Sequence, residues 1–178
     1  MSEILIPAWV DGELTPVEKL LAHQKGYRHK AISVFLMNNG RTLIQQRALS
    51  KYHTPGLWAN TCCTHPMWDE ADLACANRRL DEELGIKDVD LTYRGQVEYR
   101  ADVGDGLIEH EVVEIFTAEV PDTLPMDLNP EEVEAVRWVD YSDLRQDVES
   151  TPNVFTPWIR IYLDKHANLI FGSVMENT

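Results

Sequence analysis

The sequence has no long apolar run, no Cys-x-x-Cys pair and few basic residues, and each absence argues against a class of protein. No hydrophobic stretch approaches the length needed to cross a bilayer. The start, Met1-Ser2-Glu3-Ile4-Leu5, lacks the basic and then apolar regions of a secretory signal, so a cytoplasmic protein is expected. Cys62 and Cys63 are adjacent and Cys75 stands apart, which is a poor disulfide framework and no zinc-finger spacing. A free cysteine in a reducing compartment is core filler or chemistry. Lys and Arg number 16 against 30 Asp and Glu, a net charge of −14. That surface repels nucleic acid and anionic membranes, so neither is expected as a partner. It also opposes an anionic small molecule, unless cations or metal ions gather locally at the site. There is no repeat and no low-complexity stretch.

What is present suits one globular unit. The 178 residues are 44% hydrophobic and 26% charged, enough to bury a core without disulfide or metal staples. One domain over 1–178 is expected, with residues 1–28 as a peripheral layer, 29–140 as the core and 141–178 as C-terminal helices. A short strand falls near Leu5–Val10, and Thr15-Pro16 opens a short helix to His23 with proline in its first turn. His29–Asn38 reads as a buried strand, turned at Asn38-Asn39-Gly40 into Arg41–Arg47. Leu57–Thr64 reads as extended. Asp69 is the expected N-cap of a helix over Glu70–Leu84 that Gly85 closes, with Leu73, Ala76 and Leu80 toward the core. Strands at 92–101 and 109–120 flank Gly104-Asp105-Gly106. Pro121–Pro130 is a loop, Val133–Val139 a strand, Tyr141–Val148 a helix, and Thr156-Pro157 starts a last helix to about Asn168. The order predicts an α+β fold, a mixed sheet sandwiched by helices.

The helix at 70–86 carries the first functional signal. Glu70, Arg78, Glu82, Glu83, Gly85 and Ile86 resemble the Nudix box, G-x(5)-E-x(7)-R-E-U-x-E-E-x-G-U with U aliphatic. Thr64 replaces its first Gly, and Arg79 replaces the Glu after the Arg. Carboxylates at a helix end can hold hard cations such as magnesium, which in turn hold a diphosphate. A cation at 79 weakens a hydrolytic metal site and adds a guanidinium that matches phosphate oxygens. A diphosphate-binding, non-hydrolytic member of that fold class is expected.

Three further segments narrow the resemblance. The first runs Arg47-Ala48-Leu49-Ser50-Lys51 and then Pro55-Gly56-Leu57-Trp58-Ala59-Asn60-Thr61-Cys62-Cys63-Thr64-His65-Pro66. In an extended chain Cys63 and His65 share a face, and Cys62 points the other way into the core. The second is Tyr99-Arg100 with Glu109-His110-Glu111, whose two glutamates share a strand face. Two inward carboxylates resist ionisation unless a cation sits between them. The third is His23 and His29, which spacing alone does not mark as ligands.

Together these segments resemble the type I isopentenyl diphosphate isomerases, over about Lys19 to Trp158. The resemblance implies Cys63 and Glu111 as the acid–base pair, with Tyr99 assisting beside Glu111 and the face of Trp158 stabilising a tertiary carbocation. It implies a metal site of His23, His29, His65, Glu109 and Glu111, suited to manganese, magnesium or zinc. It implies Lys19, Arg47, Lys51 and Arg79 as diphosphate ligands. A magnesium ion would bridge Glu83, the diphosphate and the main-chain carbonyl of Cys63. The implied substrate is a small homoallylic or allylic diphosphate, handled by a monomer. Trp58 is a second candidate for that ring face beside a structural reading, and His53, His110 and His166 have no role. Two rivals stand beside this reading: a Nudix hydrolase of a nucleoside diphosphate derivative, and a non-catalytic metal- or diphosphate-binding protein.

Overall fold

The computed structural model describes residues 4–172; Met1–Glu3 of the expected leaderless start, and 173–178 of the expected C-terminal part, lie outside them. The chain runs β1 (Leu5–Val10), β2 (Glu13–Glu18), α1 (Lys19–Lys25), β3 (Arg28–Asn38), β4 (Arg41–Arg47), β5 (Trp58–Ala59) and β6 (Cys62–Thr64). It continues α2 (Asp72–Leu84), β7 (Thr92–Asp102), β8 (Ile108–Glu119), β9 (Val133–Asp140), α3 (Tyr141–Ser150), α4 (Pro157–Lys165) and α5 (Ala167–Phe171). A short 3-10 turn, Pro152–Val154, joins α3 to α4.

Strand β3 organises the sheet. Along one edge it pairs in parallel with β8 from Arg28↔His110 to Met37↔Glu119. Its other edge meets β1, β6 and β4 in turn, all antiparallel. Strand β7 extends the sheet beyond β8, and β9 pairs with β4. A strand covered on both faces can be buried at consecutive positions, and β3 is buried without a break from Ala31 to Asn38. Ala31, Phe35 and Met37 join Ile115, Trp158 and Tyr162 in one core, under α4 and α5. Ile32, Val34 and Leu36 join Cys62, Cys75, Leu80 and Leu84 in a second core, under α2. The mixed sheet is thus sandwiched by helices, as the sequence predicts.

Four local expectations are corrected. Residues 13–18 form a strand rather than the start of a helix. Pro16 faces Pro7 on that edge strand, where a missing N–H breaks no inner ladder. The helix begins at Lys19, where the Glu18 carboxylate accepts from the N–H groups of Leu20 (2.9 Å) and Leu21 (2.7 Å). Asp69 is not a cap: it sits in a turn at φ 66°, and α2 starts at Asp72. Leu73 is 47% exposed, and the buried stripe is instead Cys75, Ala76, Leu80, Glu83 and Leu84. The last helix breaks at His166 into α4 and α5, because His166 leaves helical geometry at φ −128°. No helix among the described residues is long and apolar enough to cross a membrane.

Candidate active site

Register across the sheet assembles the site. Glu111 on β8 lies opposite His29 on β3 and opposite Tyr99 on β7, so three side chains form one transverse row. Cys63 on β6 pairs with Ser33, on the other edge of β3. Cys63 and Glu111 therefore flank β3 from its two sides. Alternation puts both on the α4 face and sends Cys62 into the opposite core, as expected. Helix α1 contributes from the end of the sheet. Lys19 and His23, one turn apart, share a face, and the His23 Nδ1 lies 2.7 Å from the Lys19 carbonyl.

His23, His29, His65 and Glu111 each offer a ligand atom, and these atoms lie within 4.8 Å of one another. The rings of His23, His29 and His65 converge, tilted or edge-on, at centroid distances of 4.7–5.1 Å. The donor set fits a divalent metal. His23 and His29 each hold a backbone carbonyl through Nδ1, at 2.7 Å from Lys19 and from Tyr27. That contact fixes the proton on Nδ1 and leaves Nε2 as a lone pair, the arrangement metal-bound histidines use. Both Nε2 atoms are buried and have no hydrogen-bond partner among the described residues. Burial, then the neighbouring His29, lowers the pKa of His23 to about 4, and burial takes His65 well below its usual value. Neutral imidazoles are the ligand form. Glu109 is not among the four; it is one strand step away, bonded to Tyr99.

The two glutamates titrate as a pair and split. Burial raises both, and the charge of Glu111 raises Glu109 further, so Glu109 stays well above the carboxylate range. For Glu111, contacts from His29 (3.6 Å) and His65 (3.0 Å) outweigh burial and hold it well below that range. The Tyr99 hydroxyl lies 2.9 Å from Glu109 Oε2 and 2.8 Å from Glu111 Oε2. Burial, then both carboxylates, pushes that phenol well up, so it keeps its proton. Cys63 is pushed up by burial and by Glu111 and Glu109; the Ser33 hydroxyl, donating at 3.3 Å, opposes this. The site at neutral pH thus holds an ionised Glu111 on one flank and a protonated thiol on the other.

Lys19, Arg47, Lys51 and Arg79 line the same cavity as Cys63, Glu111, Glu83 and Trp158. Their mutual repulsion is visible at Lys19. Burial, then Lys51, Arg79 and Arg47, lowers its pKa to about 8. Lys51 pairs with Glu132. Arg79 spends its terminal nitrogens on Glu82 (2.8 Å), Glu83 (2.6 Å) and Glu132 (3.2 Å), and its buried Nε has no hydrogen-bond partner among the described residues. Glu83 is held from its other oxygen by Gln45 at 2.9 Å. The Nudix-like residues divide by face. Glu70 grips Arg78 at 2.6 and 2.8 Å and Glu82 joins it at 3.0 Å, away from the cavity, while Arg79 and Glu83 face in. Arg47 lies 5.3 Å over the Trp158 ring.

Of the residues expected in the site, Lys19, Arg47, Lys51, Cys63, His65, Arg79, Glu83, Glu109, Glu111 and Trp158 line one cavity, while Tyr99, His23 and His29 lie behind it, against Glu109, Glu111 and His65. Trp58 stacks under Arg137 at 4.9 Å and is not among the cavity's lining residues. His110 pairs with exposed Glu98, and His166 marks the helix break. Four participants had no signal in the sequence. His53 and Glu132 come from loops without periodicity, and Gln45 and Tyr162 read as ordinary strand and helix positions. Tyr162 hydrogen-bonds Ser33 at 2.8 Å, behind Cys63.

With that geometry in hand, comparison with known proteins is direct. The NUDIX domain family matches residues 27–159, and the chain belongs to it. It is 62% identical over 173 residues to a protein of Jannaschia sp. (strain CCS1) named isopentenyl-diphosphate Delta-isomerase, covering 97% of this chain and 98% of that one. A relative of the same name from Cereibacter sphaeroides (strain ATCC 17025 / ATH 2.4.3) is 64% identical over 170 residues, 96% of each chain. Solved structures share the fold. A Deinococcus radiodurans crystal structure superposes with TM-score 0.72 at 13% identity, covering 92% of this chain and 98% of that one. A MutT NUDIX hydrolase from Burkholderia pseudomallei gives 0.60 at 24% identity, covering 78% and 98%.

Proposed function

We propose that this chain is an isopentenyl-diphosphate Delta-isomerase, converting isopentenyl diphosphate to dimethylallyl diphosphate. One observation carries the reading: the Cys63 thiol and the Glu111 carboxylate, from opposite sides of β3, line one cavity together with four cations. The named relatives support it at 58–64% identity.

The reaction moves one proton onto the terminal methylene carbon and removes one from the allylic carbon, so the proton count is unchanged. Cys63 and Glu111, on opposite flanks, are the two groups that exchange these protons. Tyr99 donates to Glu111 and holds its carboxylate in place. Trp158 shields the intervening tertiary cation and offers it a ring face, an attraction of about 2 kcal/mol when desolvated. Lys19, Arg47, Lys51 and the free Arg79 Nε bind the diphosphate oxygens. A divalent ion held by His23, His29, His65 and Glu111, with Glu109 beside them, would supply the positive charge that offsets two buried carboxylates; manganese, magnesium and zinc all suit such ligands. Magnesium accompanying the diphosphate would meet Glu83 and the Cys63 carbonyl. A free Cys63 thiol fits a reducing cytoplasm, and no second copy is needed to complete the cavity, which agrees with a monomer acting on a small molecule.

The test is incubation with isopentenyl diphosphate and magnesium in deuterium oxide. Dimethylallyl diphosphate carrying deuterium is expected, and Cys63→Ala abolishes it. Free phosphate released from the substrate, with no dimethylallyl diphosphate formed, would instead favour a hydrolase.

A further inference from the structure

His53 has no role in the acid–base pair, the metal cluster or the cation cluster, yet it is buried against all three. Its Nε2 lies 3.3 Å from Glu109 Oε1. Its ring centroid is 5.8 Å from His23 and 6.3 Å from Trp158, and Tyr52 covers it from outside at 4.6 Å. The side chain is 93% buried, and Nδ1 has no hydrogen-bond partner among the described residues.

The need for such a group follows from hydrogen-bond arithmetic at Tyr99. The phenol has one proton. Two carboxyl oxygens, Glu109 Oε2 and Glu111 Oε2, lie 2.9 and 2.8 Å from the hydroxyl. A donor at the far oxygen of Glu109, Oε1, leaves the Tyr99 proton to Glu111, because an acid proton on Glu109 is then kept at Oε2, where it donates to the phenol oxygen. The imidazole of His53, with its proton on Nε2, stands at Glu109 Oε1 and is such a donor. We propose that His53 is a positioning residue: it pins Glu109 from the side opposite Tyr99, and so keeps the Tyr99 proton directed at Glu111. The assignment rests on the isomerase reading for its kinetic consequence, but the contact itself does not.

Substitution leaves the rest of the loop in place, because Arg47 bonds to the main-chain carbonyl of His53 (3.3 Å) and not to its ring. The diphosphate cations are then retained, and a KM change is not expected. His53→Ala should lower kcat about 10- to 100-fold, the usual scale for a lost partner one shell out. KM for isopentenyl diphosphate should stay within about twofold, the signature of an interaction that acts on the chemical step. His53→Gln keeps an amide near the Nε2 position and should recover most of the loss. Metal content should be unchanged in both variants. A second readout needs no turnover. In whole, zinc-loaded protein with nitrogen-15 histidine, the His53 Nε2 resonance should shift in Glu109→Gln. Unaltered kcat in His53→Ala, a His53→Gln variant no better than it, loss of metal, or no shift in Glu109→Gln each overturns the assignment. Absence of isomerase activity in the unaltered protein overturns the isomerase reading instead, and the resonance experiment still decides whether His53 holds Glu109.

Discussion

Lys19 is the point at which the cation cluster can be measured directly. Its ammonium is one of four cations around a single cavity, and burial together with Lys51, Arg79 and Arg47 takes its pKa from 10.5 to about 8. A fall of that size is roughly 3 kcal/mol of penalty on the charged form. The side chain is partly exposed, and solvent screening trims this to about 2 kcal/mol. The sign follows from proton counting. Between pH 8 and 10.5 the unfolded chain binds a proton at Lys19 that the folded chain has released, so stability rises with pH across that window. Below pH 8 the folded protein bears the whole penalty. Urea unfolding from pH 7 to 10 should therefore show Lys19→Met gaining less stability with pH than the unaltered protein, by about 2 kcal/mol over the range. A bound diphosphate reverses the preference, because it attracts the charged form. KM for isopentenyl diphosphate should accordingly climb once pH passes about 8, and this climb should vanish in Lys19→Met. A flat KM from pH 7 to 9.5 would refute the clustering of these four cations around the diphosphate.

Two further outcomes test the α2 helix. Gly85 closes that helix at φ 65°, and a Cβ there would meet Asp127 at 2.7 Å, with the Asp127 backbone at 2.8 Å. Gly85→Ala should cost about 2–4 kcal/mol from left-handed strain and backbone overlap, read as a lower urea midpoint. Arg79→Met removes the guanidinium from Glu83 and Glu132 and the free Nε from the cavity. It should raise KM by about tenfold or more, the scale of one hydrogen bond to a charged group, and steady-state kinetics that leave KM unmoved would count against diphosphate binding at Arg79.

Much of the architecture was legible because it depends on neighbours in sequence. The largely buried run of His29–Asn38, the Asn39-Gly40 turn and the helix stop at Gly85 each express a local backbone rule, and each is found. Errors arose where a local signal had two outlets. Thr15-Pro16 suits a helix start, but pairing with β1 claimed it for an edge strand. Asp69 suits a cap, but the Glu70–Arg78 ion pair organises the approach to α2 in its place.

The site divides in the same way. Sequence alone determined which residues share a face: Cys63 with His65, Glu109 with Glu111, and Arg79 with Glu83, since side-chain direction follows from backbone period. It also supplied, through resemblance, the set of residues that meet. Tertiary structure alone decided how they meet. The parallel register of β3 against β8 sets His29 beside Glu111, and the antiparallel register of β7 sets Tyr99 between the two glutamates. The loop after β4 delivers His53 to Glu109. Such contacts join segments far apart in the chain. No periodicity encodes them, because a loop histidine has no face until the sheet it packs against exists.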